Sequence, residues 1–176
     1  MIHSTAIIDK DAIIGDGVSI GPFSVIGKNV VIGAGTIIGA KVFIEHAEIG
    51  KNCIIMHSAS LGTPPQDLGY KDEPSKVYIG DGTRIGEFVT VNRGTKKTLK
   101  TVVGQNCDFM VYSHVGHDCV IGNGVFVGVG CAIAGHVEIG DEAVLGDLAG
   151  VHQFTKIGKG TVTGERSVVT MDTIPY

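Results

Sequence analysis

Seven histidines carry most of the reactive chemistry in this chain: His3, His46, His57, His114, His117, His136 and His152. A neutral imidazole titrates near pH 6.5 and suits general-base work. Asp118 directly follows His117 and can orient or polarise its ring. Gly135 precedes His136 and can present a backbone N–H with no side chain in the way, which makes it an oxyanion donor. A lone histidine is more often a hydrogen-bonded surface group, and His3, His46 and His57 are read that way. Zinc is the rival use of such a set. It needs three imidazoles converging on one point at about 2.1 Å. The only nearby nucleophile is Cys119, and a Cys–His pair could form an acyl-enzyme.

The elements that place these residues come from an internal repeat. Stepping by six from Ile2 gives Ile8, Ile14, Ile20, Ile26, Ile32, Ile38 and Ile44, an unbroken run of isoleucine. One residue is dropped, and the phase resumes at Ile49, Ile55 and Leu61. It returns at Ile79, Ile85 and Val91, and then runs from Val103 to Val169, where only Phe109 and Thr163 are not aliphatic. A period of six fits neither a helix nor a hairpin. It fits a triangular prism in which each unit supplies one short strand and one turn, and three units close a coil of 18 residues. Gly commonly follows the aliphatic residue, and Asp16-Gly17, Lys28-Asn29, Asp81-Gly82 and Asn123-Gly124 are turn residues. The units resemble the hexapeptide repeat of the left-handed parallel β-helix, and the left hand comes from that resemblance. The expected fold is all-β, with about nine coils and a length of roughly 40 Å at the parallel-strand spacing.

On this prism the unit starts Val115, Ile133 and Val151 are one coil apart. His117 is the third residue of its unit, His136 the fourth and His152 the second, so the three lie near one edge in successive coils. His114 ends the unit before His117. Those positions are drawn out along the axis for a shared zinc ion, and the expectation is that no metal is bound. Cys119 lies four residues beyond the inward Val115 and should point inward, so an acyl-enzyme is disfavoured. The four cysteines, Cys53, Cys107, Cys119 and Cys131, form no CxxC and read as buried apolar residues of a reducing compartment.

Composition excludes other classes. With 43% apolar residues and a net charge of −4, the chain is neither disordered nor a general nucleic-acid binder. Its 27 glycines and 18% charged residues exclude a coiled coil. No apolar run approaches the roughly 18 residues of a membrane span. No signal peptide is evident at Met1-Ile2-His3-Ser4, and a cytoplasmic location is expected. Residues 1–176 read as one domain with excursions at 63–78 and 95–101 and no helical C-terminal domain. A regular solenoid has no structural need for excursions, and such loops commonly carry binding.

Several motifs occur in order: Gly62-Thr63-Pro64-Pro65-Gln66-Asp67-Leu68-Gly69-Tyr70, Val91-Asn92-Arg93-Gly94-Thr95, His114-Val115-Gly116-His117-Asp118-Cys119, Ala134-Gly135-His136-Val137 and Val151-His152-Gln153-Phe154. Together they closely resemble the acyl-carrier-protein-dependent UDP-N-acetylglucosamine 3-O-acyltransferases of lipid A biosynthesis, over nearly the whole chain. The resemblance implies that His117 is the general base, supported by Asp118, and that the Gly135 N–H stabilises the oxyanion. It implies that Gln66, Asp67, His114, His136, His152 and Gln153 hold sugar and acyl chain. It further implies no cofactor, a homotrimer with sites between prisms, and an acidic carrier protein docking on basic residues, for which Arg93, Lys96, Lys97 and Lys100 are candidates. Three positions depart from the family pattern: Gly69 stands where lysine is usual, Gly86 where arginine is usual, and Glu165 where a glycine lies along the acyl groove. Glu165 leads us to expect a shorter or more polar acyl chain. A sibling enzyme with another acceptor or a CoA donor, and a non-catalytic scaffold, remain alternative readings.

Overall fold

The computed structural model describes residues 1–176. Strands of two to four residues recur along the chain, from Ile7–Ile8 to Val168–Val169, and fall into three all-parallel sheets of nine, eight and eight strands. Every third strand joins the same sheet. The result is the triangular prism expected of a left-handed β-helix of hexapeptide repeats. Ile2, the first member of the repeat, bridges Ile20 one coil on. We number the faces in chain order. Face 1 starts at Ile7–Ile8, face 2 at Ile13–Ile14 and face 3 at Ser19–Ile20.

The aliphatic residue of each unit points inward and stacks on its equivalent. On face 1, Leu61 pairs with Val91, Val91 with Val115, Val115 with Ile133, and Ile133 with Val151. All five are buried, within one continuous apolar core that runs along the prism. Burying each such side chain contributes about 1.5–3 kcal/mol, shared only between neighbouring coils. The cysteines occupy the fifth place of their units, facing inward, and all four are free and buried. The Cys119 thiol donates to the Ala134 carbonyl at 3.0 Å, and burial pushes its pKa up to about 12. A thiol held neutral in this way is no nucleophile.

Each edge turns at the fourth residue of the unit, which commonly takes a left-handed conformation. Both excursions leave edge 1/2, the edge between faces 1 and 2. The first is shorter than the expected 63–78, and the second keeps its expected length but begins two residues earlier than 95–101. Strand Ser60–Thr63 pairs with Thr90–Asn92, and Lys76–Ile79 pairs with Lys100–Val103, so only 64–75 and 93–99 lie outside strands. Backbone hydrogen bonding to the neighbouring coil holds the flanking residues in the sheet even where the aliphatic pattern has lapsed.

Candidate active site

The coil that follows the second excursion turns edge 1/2 at His117 and Asp118. Successive coils then place the third residues His117, Gly135 and Gln153 in one column and the fourth residues Asp118, His136 and Phe154 in the next. The second column is left-handed throughout, with φ of 60°, 63° and 66°. Non-glycine residues rarely take this conformation, and the repeat imposes it at these three successive turns.

Asp118 is fully buried at its side chain, and its Oδ2 lies 2.8 Å from His117 Nδ1. Burial alone would push the carboxyl up. Hydrogen bonds from Thr98, His117 and Thr95 outweigh it and hold the group below its ordinary value. An ionised carboxylate can only accept, so His117 Nδ1 is the donor of the pair. This leaves His117 Nε2, on the far side of the ring from Asp118, as the atom that can meet a ligand.

Gly135 lies against the His117 ring. A Cβ at residue 135 would stand 2.6 Å from Cε1 and 2.8 Å from Nε2, so no other residue fits there without displacing the imidazole. The Gly135 N–H is also free to receive a ligand. At several other turns the third-residue N–H is taken by a side chain one coil on: Gln105 by Asn123, Asn123 by Asp141, and Val129 by Asp147, at 2.7–2.9 Å. One coil beyond Gly135 stands Gln153, and the Gly135 N–H makes no bond within the chain. A backbone donor next to a base is what an oxyanion needs.

These groups border a cavity of about 470 Å³ on face 1. Gln66, His114, His117, Gly135, His152 and Gln153 line it, and its floor is made by the small outward residues Ala132 and Gly150. A Cβ at Gly150 would meet nothing within 4 Å. His114 Nδ1 is 2.7 Å from the Thr90 hydroxyl, and burial lowers its pKa, with His117 adding to the effect. The site also includes Asn92, which the sequence reading did not single out as a site residue. It lines the cavity and ties down the first excursion, donating to Thr63 Oγ1 at 3.1 Å and to the Pro64 carbonyl at 3.0 Å. Nothing in its spacing marks it, because its partners lie 28 and 29 residues away.

Four expected site residues sit elsewhere. Arg93 is not on a docking surface. It is only 4% exposed, and its guanidinium bonds Glu45 Oε1 at 2.9 Å, the Gly62 carbonyl at 2.7 Å and the Tyr70 hydroxyl at 3.0 Å. It is consumed in anchoring the first excursion, whereas Lys96, Lys97 and Lys100 are exposed. His136 does not line the cavity. Its ring stacks on Phe154 at 4.6 Å and meets the His117 ring edge-on at 5.0 Å, because a left-handed fourth residue points away from the third-residue column. Asp67 also stands off the cavity, its Oδ1 accepting the Gly69 N–H at 2.6 Å. Glu165 is exposed on edge 3/1, across face 1 from the histidines.

His117, Asp118 and His136 offer nitrogen and oxygen atoms within 4.8 Å of one another. Two ligands of one tetrahedral zinc ion lie about 3.4 Å apart. The 2.8 Å between His117 Nδ1 and Asp118 Oδ2 is the spacing of a direct hydrogen bond, and the remaining acceptor capacity of Asp118 goes to threonine donors. The donor set fits a hydrogen-bonded dyad better than a metal centre.

Comparison with known proteins places this geometry in context. The bacterial transferase hexapeptide model (six repeats) matches residues 11–46. The chain is 48% identical over 177 residues to the acyl-[acyl-carrier-protein]–UDP-N-acetylglucosamine O-acyltransferase of Aliarcobacter butzleri and 40% identical over 178 residues to that of Campylobacter concisus. Each match covers 99% of this chain and 68% of the relative, so the chain spans about two thirds of their length. Among solved structures, the UDP-N-acetylglucosamine acyltransferase of Francisella novicida superposes with a TM-score of 0.97 at 45% identity, covering 100% of this chain and 65% of that one. The Bacteroides fragilis enzyme gives 0.98 at 39% identity, covering 100% and 69%. No helix is long and apolar enough to cross a membrane. With His117, Asp118 and the free Gly135 N–H all on one edge of such a prism, the chain belongs to the UDP-N-acetylglucosamine O-acyltransferase family of hexapeptide-repeat acyltransferases.

Proposed function

We propose that this chain transfers a 3-hydroxyacyl group from acyl carrier protein to the 3-hydroxyl of UDP-N-acetylglucosamine, the step that opens lipid A biosynthesis. The observation that carries this reading is the His117–Asp118 pair beside the unpaired Gly135 N–H, at the wall of one cavity. His117 Nε2 takes the proton of the sugar hydroxyl as its oxygen attacks the thioester carbon. The tetrahedral oxyanion accepts a hydrogen bond from Gly135. The intermediate then collapses, the C–S bond breaks, and the departing thiolate of the carrier receives the proton from the imidazolium. A thioester is already activated, so general-base help worth about 10²–10⁴-fold and one oxyanion donor suffice without a metal or a covalent intermediate. Gln66, His114, His152 and Gln153 hold sugar and acyl chain. Asp67 and His136 act at one remove, through the loop and through the His117 ring.

Lys96, Lys97 and Lys100 form the docking surface for the acidic carrier. A homotrimer is supported by edge 3/1, which exposes Phe23, Phe88, Tyr112 and Leu148 in one column along the prism. Across such an interface Glu165 of one edge would border the acyl groove and favour a shorter or more polar chain. The reaction would take place in the cytoplasm, where its carrier is found.

The test is a direct transfer assay with UDP-N-acetylglucosamine and carrier thioesters of graded chain length, run beside His117→Ala. Acyl-sugar product that disappears in the variant supports the reading, and the best chain length reports on Glu165. Product only with a CoA thioester or another sugar nucleotide would point to a sibling activity. No product with any donor would refute the reading.

A further inference from the structure

The second excursion does more than display lysines. It folds back over edge 1/2 so that Thr95 and Thr98 reach the buried Asp118 of the next coil. The Thr95 N–H donates to Asp118 Oδ1 at 3.0 Å and the Thr95 hydroxyl to Oδ2 at 2.8 Å. The Thr98 hydroxyl donates to Oδ1. On the other side, the Asp118 N–H donates to the Thr101 hydroxyl at 2.9 Å, which fixes its backbone. Three donors on this excursion therefore clamp one carboxylate. Thr95 is 4% exposed, so its hydroxyl has no competing water. The Thr98 hydroxyl also lies 2.8 Å from the Lys100 carbonyl, and its single proton goes preferentially to the charged acceptor.

We propose that Thr95 and Thr98 are positioning residues for acyl transfer: they lock the Asp118 carboxylate in the orientation that presents Oδ2 to His117 Nδ1. This deepens the reading of His117 as base and rests on it. A carboxylate on a one-atom stem has rotational freedom that the pair alone does not remove, and four hydrogen bonds in a buried site do remove it. The threonine donors also spread the Asp118 charge. Fewer donors would leave a more basic carboxylate, which stabilises the imidazolium, so the proton would leave His117 only at higher pH. The other ionisable groups near the dyad are His114, His136 (Nε2 3.7 Å from Asp118 Oδ2), Lys97 over the Phe154 ring, and Asp67 facing His136. Substitution at Thr98 removes none of them.

The experiment compares Thr98→Val, Thr98→Ser and Thr95→Val with the unaltered protein and with His117→Ala. Two measurements are made: transfer kinetics across pH, and ring-nitrogen NMR of His117 over the same range. Thr98 is exposed, so its valine variant should fold. Thr98→Val is expected to lower kcat about tenfold, the scale of one hydrogen bond to a charged group, with KM for both substrates unchanged. The acidic limb of kcat/KM should move to higher pH by about half a unit, and the NMR titration of His117 should move with it. Thr98→Ser should restore both, and Thr95→Val should exceed Thr98→Val in effect. A His117 titration and acidic limb identical in Thr98→Val and the unaltered protein would overturn the positioning role, whatever the melting temperature does. An active His117→Ala would overturn the base assignment instead, while the NMR readout would still decide whether the threonines hold the dyad. Because the NMR needs no turnover, it decides the positioning role even for a protein inactive with every donor.

Discussion

Replacing Gly135 with alanine is the sharpest perturbation this site permits. Gly135 does not adopt a left-handed φ, so the backbone accepts alanine without strain. The new Cβ would instead meet the His117 ring, at 2.6 Å from Cε1, 2.8 Å from Nε2 and 3.1 Å from Nδ1. Ordinary contact begins at 3.4 Å, so the ring must retreat by about 0.8 Å. It has little room to do so. Its far nitrogen is held 2.8 Å from Asp118, and the His136 ring, braced by Phe154, stands edge-on at 5.0 Å. A misplacement near 1 Å in a reacting group costs about 10²-fold. Gly135→Ala should therefore lower kcat about 100-fold while changing stability by no more than about 3 kcal/mol, the ordinary cost of one added methyl. Gly150→Ala is the control. It adds the same methyl on the same face in open space and should leave kcat with a short acyl donor unchanged. Transfer from carrier-bound thioester, followed by acyl-sugar formation, is the assay. The double variant with His117→Ala should be no slower than His117→Ala alone, since both changes disable one group. A Gly135→Ala protein that keeps a third or more of the wild-type kcat would refute the claim that this glycine is required by the packing of the His117 ring.

Three further outcomes are expected. Cys119→Ala should keep transfer activity, and iodoacetamide should fail to inactivate the native protein, because burial holds that thiol neutral with a pKa of about 12; rapid alkylation with loss of activity would contradict this. Reversing Lys96 and Lys100 to glutamate should slow transfer from carrier-bound donor but not from a small pantetheine thioester, and equal loss with both would exclude carrier docking there. Burial lowers the pKa of His46, His114 and His136 from the ordinary 6.5, so the unfolded chain takes up protons more readily than the folded one. Their contribution to stability is present above pH 6.5 and lost as pH falls through the folded values. Asp118, held below its ordinary 3.8, adds a second loss as pH falls through its own folded value. Melting temperature measured from pH 8 to pH 3 should therefore decline in two stages, and a rise on acidification below 6.5 would contradict the assignment.

The six-residue recurrence of aliphatic residues determined the prism, the inward stack and the burial of the cysteines. A chain that returns to the same edge every 18 residues has its neighbours written into its spacing. His117 and Gly135 are adjacent in space for that reason, and the distance between them needed no tertiary information. Spacing stops being informative where the period breaks. Arg93 reads as a surface cation beside three lysines. It is buried because Glu45, Gly62 and Tyr70, brought together by the return of the first excursion, complete its hydrogen bonds. Thr95 and Thr98 carry no signal in a loop rich in lysine, yet the fold brings them to a carboxylate 23 and 20 residues away. His136 shares its edge with His117 as the repeat requires, but the left-handed turn at the fourth residue sends its ring away from the cavity and onto Phe154. The sequence by itself determined which residues share an edge, because periodic backbone hydrogen bonding is a local rule repeated. Only the tertiary structure decided which side chains face the ligand and which brace them, because the excursions fold back according to long-range contacts and each side chain's direction follows the φ of its own turn.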